Sequence, residues 1–263
     1  MLIDTHAHLF WSDFRDDLAV VLKRAKAVGV KKIVVPAVNA ATAEMSLSLA
    51  KQYPAMLAVA VGIHPEEIER KGEREIAKEI EELEEKIKAN KVVAMGEVGL
   101  DFHTEELRQK RQQQLDLFRK MVRLAQKWKL PVIIHSRESV KEVLTVLEEV
   151  GWWEGVCHCF SGNEAELREV LERGLRVSFC GNISWSKRVA RLVKLVPTER
   201  LLLETDSPFM TPRDEKGQVR GGSLRNEPKN VRILAELYAS LKKESLEKIA
   251  KVTSQNAQEL FKI

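Results

Sequence analysis

The 263-residue chain reads as α/β: a closed (β/α)8 barrel of the TIM type, forming a single domain over residues 1–263. Three observations predict this. Eight short apolar runs rich in Val, Ile and Leu recur along the chain, and most are continuous rather than alternating, as parallel strands buried on both faces require. Segments of helical period separate them. No composition break, low-complexity linker or Gly-rich dinucleotide fingerprint after the first run points to an open doubly wound sheet. Barrels of this length are commonly undivided.

In chain order the strands are expected at residues 2–6, 33–37, 57–63, 92–96, 132–135, 156–158, 176–179 and 201–204. Between them Leu18, Val21, Leu22 and Ala25 line one helix face, as do Ile76, Ile80, Leu83 and Ile87, and again Leu117, Met121, Leu124 and Trp128. Residues 104–129 are long for one helix. Residues 207–227 have no helical period and carry Pro208, Pro212, Gly217, Gly221 and Gly222. A structureless segment of that length inside a domain is usually functional, and one that follows the eighth strand lies on a barrel's active face.

Charged residues make up 31% of the chain, above the usual ~25%. Much of that charge lies in Glu/Lys-rich helix such as residues 73–88, which reads as solvated helix face. The net charge of +4 permits an anionic substrate without demanding nucleic acid. Cys157, Cys159 and Cys180 form no disulfide framework and are expected as small packing residues in a reducing compartment. No signal-like start and no apolar run near ~20 residues occurs. The expectation is a soluble cytoplasmic protein with no membrane contact and no obligate protein partner.

The chemistry sits at strand ends. His6 and His8 share one side of the first strand by the twofold alternation of side chains. His64 follows the third strand, Glu97 the fourth, His135 the fifth, His158 the sixth and Asp206 the eighth. Five of the six histidines thus fall at the carboxyl ends, which converge on one rim in a barrel; only His103 is left over. Four imidazoles and two carboxylates are N/O donors suited to Zn, Mn, Ni or Mg rather than a thiolate-preferring metal. Six ligands exceed the needs of one tetrahedral ion but suit two divalent metal ions bridged by a carboxylate. The assignment is His6, His8, Glu97 and Asp206 for one ion, and Glu97, His135 and His158 for the other.

Seven motifs in order then carry a resemblance. They are Ile3-Asp4-Thr5-His6-Ala7-His8-Leu9, Gly62-Ile63-His64-Pro65, Gly96-Glu97-Val98-Gly99-Leu100-Asp101, and Pro131-Val132-Ile133-Ile134-His135-Ser136-Arg137. His158-Cys159-Phe160-Ser161-Gly162, Leu203-Glu204-Thr205-Asp206-Ser207-Pro208 and Arg225-Asn226-Glu227-Pro228 complete the set. The chain resembles the TatD family of metal-dependent hydrolases, within the amidohydrolase-like barrels. The resemblance implies a cytoplasmic deoxyribonuclease, often of 3′→5′ exonuclease type, acting on DNA that is single-stranded or presents a 3′ end. It implies the same metal positions. Phe10 and Phe102-His103 depart from the family's usual residues near the expected mouth, which bears on substrate preference.

Asp206 and Glu97 are the catalytic candidates, Asp206 as acceptor of the water's proton. His64, Arg137, Arg225 and Asn226 are assigned to the substrate, with Arg213, Lys216 and Arg220 adding a basic bias to the long loop. Trp11 and Trp185 stand where a base could stack; Trp152 and Trp153 belong to the opposite face. Glu204 and Asp4 are expected to orient histidine ligands. Two other readings use the same residues: a metal-dependent amidase or ester deacylase, such as one acting on aminoacyl-tRNA, and a non-catalytic metal- or nucleic-acid-binding barrel. His64 with Arg137 favours a phosphodiester over a carbonyl, and the acid at Asp206 disfavours pure binding.

Overall fold

Eight parallel strands succeed one another around the sheet in chain order in the computed structural model, which describes every residue except Glu215 and Gly221. They are β1 (Leu2–Asp4), β2 (Val30–Pro36), β3 (Leu57–Val61), β4 (Val92–Asp101), β5 (Val132–Arg137), β6 (Gly155–Cys157), β7 (Arg176–Phe179) and β8 (Leu201–Leu203). The helices between and after them are α1 (Leu18–Ala27), α2 (Ala40–Gln52), α3 (Glu67–Arg70), α4 (Glu73–Ala89), α5 (Glu105–Gln109) and α6 (Arg111–Trp128). Then come α7 (Val140–Val150), α8 (Glu164–Glu172), α9 (Lys187–Leu195), α10 (Val231–Lys242) and α11 (Leu246–Phe261). None of the described helices is long and apolar enough to cross a membrane.

The barrel closes just beyond β1 and β8. Thr5 N–H donates to Leu203 O at 2.9 Å, and Ala7 bridges Ser207 in parallel register. Closure therefore sets the His6-x-His8 motif directly against the Asp206 segment, 200 residues away in sequence. Two apolar layers hold the wall. Ile3, Val34, Ala58, Ala60, Ala94, Ile133 and Leu202 fill the interior, where Leu260 and Phe261 of α11 join them from below. Their strand neighbours Leu2, Ile33, Val35, Leu57, Val59 and Val61 point outward into the helix layer. The three alanines among the interior side chains suit the narrow lumen, and the outward set, wholly Leu, Ile and Val, suits the broader shell.

Most strand ends fall within two residues of the sequence expectation, and three elements differ by more. The second strand starts earlier, at Val30. The fourth runs on to Asp101, paired with β5 as far as Asp101↔Arg137. Residues 104–129 form two helices that break at Lys110. The buried Gln114 explains the break: its Nε2 donates to Leu107 O and Asp101 O at 2.9 Å each, and its Oε1 accepts from Asp101 N–H at 2.8 Å. One amide thus satisfies a helix-end carbonyl and the last residue of β4 together.

In residues 207–227 no helix or strand occurs among the described residues, beyond the bridge of Ser207 to Ala7 and one between Arg213 and Val219. Of the loop-forming glycines named above, Gly221 lies outside the described residues. Trp152 and Trp153 precede β6; Trp152 Nε1 donates to Leu130 O and Arg173 lies over the Trp153 ring, so both serve the far end of the barrel.

Candidate metal centre

Local backbone geometry aims each side chain at the rim. Ala7 N–H donates to Val34 O and His8 N–H to Ser207 O, which pins the first motif between β2 and the segment after β8. Glu97 lies where the β4–β5 register shifts between Met95 and Val98, an irregularity of the kind that re-aims a side chain at the end of a sheet. Two residues on, Gly99 adopts φ +150°, and a Cβ there would stand 1.9 Å from the His135 carbonyl oxygen. Glycine is obligatory at that position, because β4 and β5 approach so closely where they carry Glu97 and His135. Asp206 takes a left-handed φ of 58° with its N–H on His6 O.

Glu97 is the hub, with its side chain 4% exposed. Its Oε2 lies 3.2 Å from His6 Nε2 and 3.4 Å from His8 Nε2. Its Oε1 lies 2.7 Å from His158 Nε2, 2.9 Å from His135 Nδ1 and 3.4 Å from His64 Nε2. Asp206 Oδ1 completes the first side at 3.5 Å from His8 Nε2 and 3.8 Å from His6 Nε2. The rings of His6 and His158 stack at 4.0 Å between the two sides. Each oxygen of one buried carboxylate thus faces its own set of imidazole nitrogens. The structure brings all six sequence-predicted ligands together, and it adds His64 at the edge of the second set.

The donor chemistry fits divalent cations. His6 Nε2 and His8 Nε2 approach to 3.1 Å, and His135 Nδ1 and His158 Nε2 to 3.4 Å, all crowding the same carboxylate. Burial alone would raise Glu97, but the charges of His158, His64 and His6 hold it well below the usual carboxylate range. Burial pulls His8 down, yet hydrogen bonds to Asp206 and Glu97 push it up to about 9. His135 behaves likewise, with Asp101 and Glu97 taking it to about 9 against burial. His6 is lowered, by burial and then by the charge of His158.

A consequence for metal uptake follows from those directions. Without metal at pH 7, His8 and His135 lie below their pKa and carry protons, which an entering cation must displace. Zn2+ binding is expected to release protons at pH 7, and its affinity to rise with pH until about 9. Calorimetry in two buffers of different ionisation heat measures the release; identical heats in both would contradict it.

Groups behind the ligands differ from expectation in two cases. Glu204 lies beside His158, with Oε1 3.7 Å from Nδ1, and also accepts from Cys159 N–H at 2.6 Å and from the Cys180 thiol at 3.2 Å. Cys157 packs in the core as expected, whereas Cys159 and Cys180 face Glu204 and help fix it. Asp4 does not reach an imidazole. It accepts from the backbone N–H of His6 and of Thr205 and from the Thr205 hydroxyl, clamping the two closing segments, and burial pushes its carboxyl up to about 8.

Asp101 went unassigned in the sequence. Its Oδ2 sits 3.0 Å from His135 Nε2, the nitrogen opposite the one facing Glu97. The signal available was a carboxylate four residues past Glu97, obscured because the Gly96 and Gly99 pattern reads as the end of a strand. A carboxylate on the outer nitrogen fixes ring orientation and raises ligand basicity. Asp101→Asn is expected to weaken metal binding by about 10–100-fold, read by competition with a chromophoric chelator.

Above the cluster opens a mouth of about 650 Å³, lined among others by Trp11, His64, Arg137, Asp206 and Phe209. Arg225 and Asn226, assigned to the substrate from sequence, are not among its lining residues. The Arg225 guanidinium is engaged by Asp17 at 2.7 and 2.8 Å, by Glu227 at 2.9 Å and by Asp13 O, and lies over the Phe14 ring. Asn226, fully buried, donates to Thr205 O and Phe209 O and accepts from Asn230, so it pins the long loop. Both are scaffolding because their polar groups are saturated within the protein. Phe10 is buried edge-on against His8 and Phe102 is buried beneath Arg111, so neither departure faces the mouth. Trp185 is exposed beside Arg213, and His103 pairs with Glu138 on the surface. A separate cavity of about 520 Å³ at the barrel foot, between Met1 and Leu246, holds none of these ligands.

Comparison with known proteins agrees along the whole chain. The protein-family model described as TatD related DNase matches residues 3–262. An uncharacterized metal-dependent hydrolase, YabD of Bacillus subtilis (strain 168), is 38% identical over 100% of both chains. The 3′-5′ ssDNA/RNA exonuclease TatD of Erwinia amylovora is 33% identical, covering 99% of each. Among solved structures, YJJV, a TatD homolog from Escherichia coli K12, superposes with a TM-score of 0.90 at 30% identity, over 100% of this chain and 98% of that one.

Proposed function

This chain belongs to the TatD-related DNase family, and from that premise we propose that it is a divalent-metal-dependent deoxyribonuclease of the 3′→5′ exonuclease type. Its substrate is DNA, single-stranded or presenting a 3′ end, and its nucleophile is water. The observation that carries the reading is Glu97, whose two oxygens face two separate sets of histidine nitrogens. Two cations, of Zn, Mn, Ni or Mg, held by His6, His8, Glu97 and Asp206 and by Glu97, His135 and His158, would acidify water and polarise the phosphoryl group.

The chain's own residues divide the remaining work. Asp206 is the more accessible carboxylate, 14% exposed against 4% for Glu97, and it opens onto the mouth. It accepts the proton of the attacking water and returns it to the leaving oxygen. Glu97, enclosed by imidazoles, stays ionised and keeps the two ligand sets in register. His64 accepts from Glu66 N–H through Nδ1, which leaves Nε2 directed at the rim. With the exposed Arg137 it supplies positive or donor groups to the non-bridging oxygens, a demand that a neutral amide or ester does not make. A cytoplasmic location goes with this reading.

Chelator-treated and metal-reconstituted protein should be given single-stranded oligonucleotides labelled at either end, beside a panel of esters and amides. Mononucleotides released from the 3′ end, lost on chelation and restored by metal, are the expected result. Cleavage that persists after complete metal removal, or turnover of the carbonyl panel alone, overturns it.

A further inference from the structure

A large apolar side chain exposed inside a ligand-sized cleft raises the question of what covers it. Of the large hydrophobic residues that are exposed among the described residues, only Phe209, at 51%, lines the mouth. Leu224 and Trp185 are exposed outside it, and single apolar residues on open surface need no explanation. Trp11 shares the mouth but is partly buried, its ring tilted against Phe10 with centroids 5.3 Å apart.

Phe209 is held in place from both sides. Its N–H donates to Asp206 O at 2.9 Å, which puts the ring one turn of chain beyond a residue of the metal cluster. Its carbonyl accepts from Asn226 Nδ2 at 2.6 Å, and the same nitrogen donates to Thr205 O at 2.8 Å. Asn226 N–H in turn donates to Pro208 O at 3.0 Å. On the far side, a Cβ at Gly181 would stand 1.8 Å from Met210 O, so the next residue is packed against the turn that follows β7. The ring meets the imidazole of His8 at a centroid distance of 6.1 Å and an angle of 65°. That T-shaped contact does not cover the ring as a stacked partner would.

We infer that Phe209 is a further substrate-binding residue, whose ring stacks on a base flanking the scissile phosphate. The inference rests on the nuclease reading above. A phenyl ring has no polar atom to offer a phosphate or a cation-bound water, whereas every base has a π-face to lay on it. The pinned backbone means that the ring needs no ordering when substrate arrives. Contact with His8 and closeness to Asp206 place it beside the metal ligands, within reach of the nucleotides on either side of the bond to be cut. Such a contact separates a nucleotide from a bare phosphodiester and tolerates any base.

The test compares three single-stranded oligonucleotides: one intact, one abasic at the 3′-terminal residue and one abasic at the residue before it. Each is given to metal-loaded wild type, to Phe209→Leu and to Phe209→Tyr, whose melting temperatures and bound metal are checked against wild type. Phe209→Ala repeats the comparison if the leucine variant loses metal or stability. One abasic position is expected to lower wild-type kcat/KM about tenfold, mainly through KM as for binding shared by ground and transition states. The tyrosine variant should keep that discrimination, and the leucine variant should barely distinguish the same pair. The sensitive position identifies which base stacks. Wild type indifferent to base removal at both positions, or ring-less variants that keep the tenfold difference, would overturn the assignment, as would its loss in the tyrosine variant. Failure of wild type to cleave any oligonucleotide instead overturns the nuclease reading, and this inference with it.

Discussion

Glu97→Gln is expected to lower kcat/KM by at least about a thousandfold and to strip the protein of most of its metal. Glutamine keeps the shape of the side chain, so the packing of β4 against β5 is undisturbed. It exchanges one oxygen for an N–H2 group that presents hydrogens to imidazole nitrogens on one side of the hub. Whichever way the amide turns, either the His6–His8 side or the His135–His158 side loses its acceptor. The negative charge between the histidines disappears as well. In the metal-free protein that charge helps hold His135 at about 9 and His158 well above its ordinary value. Both imidazoles should therefore titrate at lower pH in the variant, visible by NMR. Metal analysis after gel filtration, with kinetics at saturating added metal, completes the test. A variant that retains two ions and full turnover would remove Glu97 from the bridging position.

The rim was legible in the sequence because parallel barrels leave unusually plain marks. A strand buried on both faces is an uninterrupted apolar run, and the first polar residue after it sits at the carboxyl end by construction. His64 and His158 could be placed this way without any knowledge of contacts, and closure of the barrel brings both to the same oxygen of Glu97. Local pattern failed where a side chain's partners are distant in sequence. Arg225 looked like a phosphate ligand in a basic loop, but its partner Asp17 lies on the other side of the barrel closure. Nothing near Arg225 announces that pairing. Asn226 was drawn in by its motif, whereas its amide is spent on the carbonyls of Thr205 and Phe209.

The misplaced end of β4 had a similar cause. Two glycines within four residues read as punctuation, yet here one of them admits close approach of the neighbouring strand and the strand continues to Asp101. What the sequence shows best is therefore the charge-bearing inner ring, and what it hides are the clamps set by tertiary contacts.

Asp206→Asn separates proton transfer from metal holding. The native residue adopts a left-handed φ of 58°, a conformation asparagine tolerates better than most residues, so the backbone bond from residue 206 N–H to His6 O should survive. The amide oxygen can still face His8 Nε2, where Oδ1 now lies at 3.5 Å. Asparagine cannot take a proton from water near neutral pH. The variant is expected to keep its melting temperature and most of its metal when assayed with metal in excess. Its kcat should fall by about 10²–10⁴-fold, the usual worth of a positioned general base, with KM little changed because binding to the ground state is untouched. The pairing with Glu97→Gln is what makes the result informative, since that substitution should remove metal and rate together. If Asp206→Asn also loses its metal in proportion to its rate, Asp206 acts as a ligand and not as the base. If its rate is normal, another group on the rim receives the water's proton.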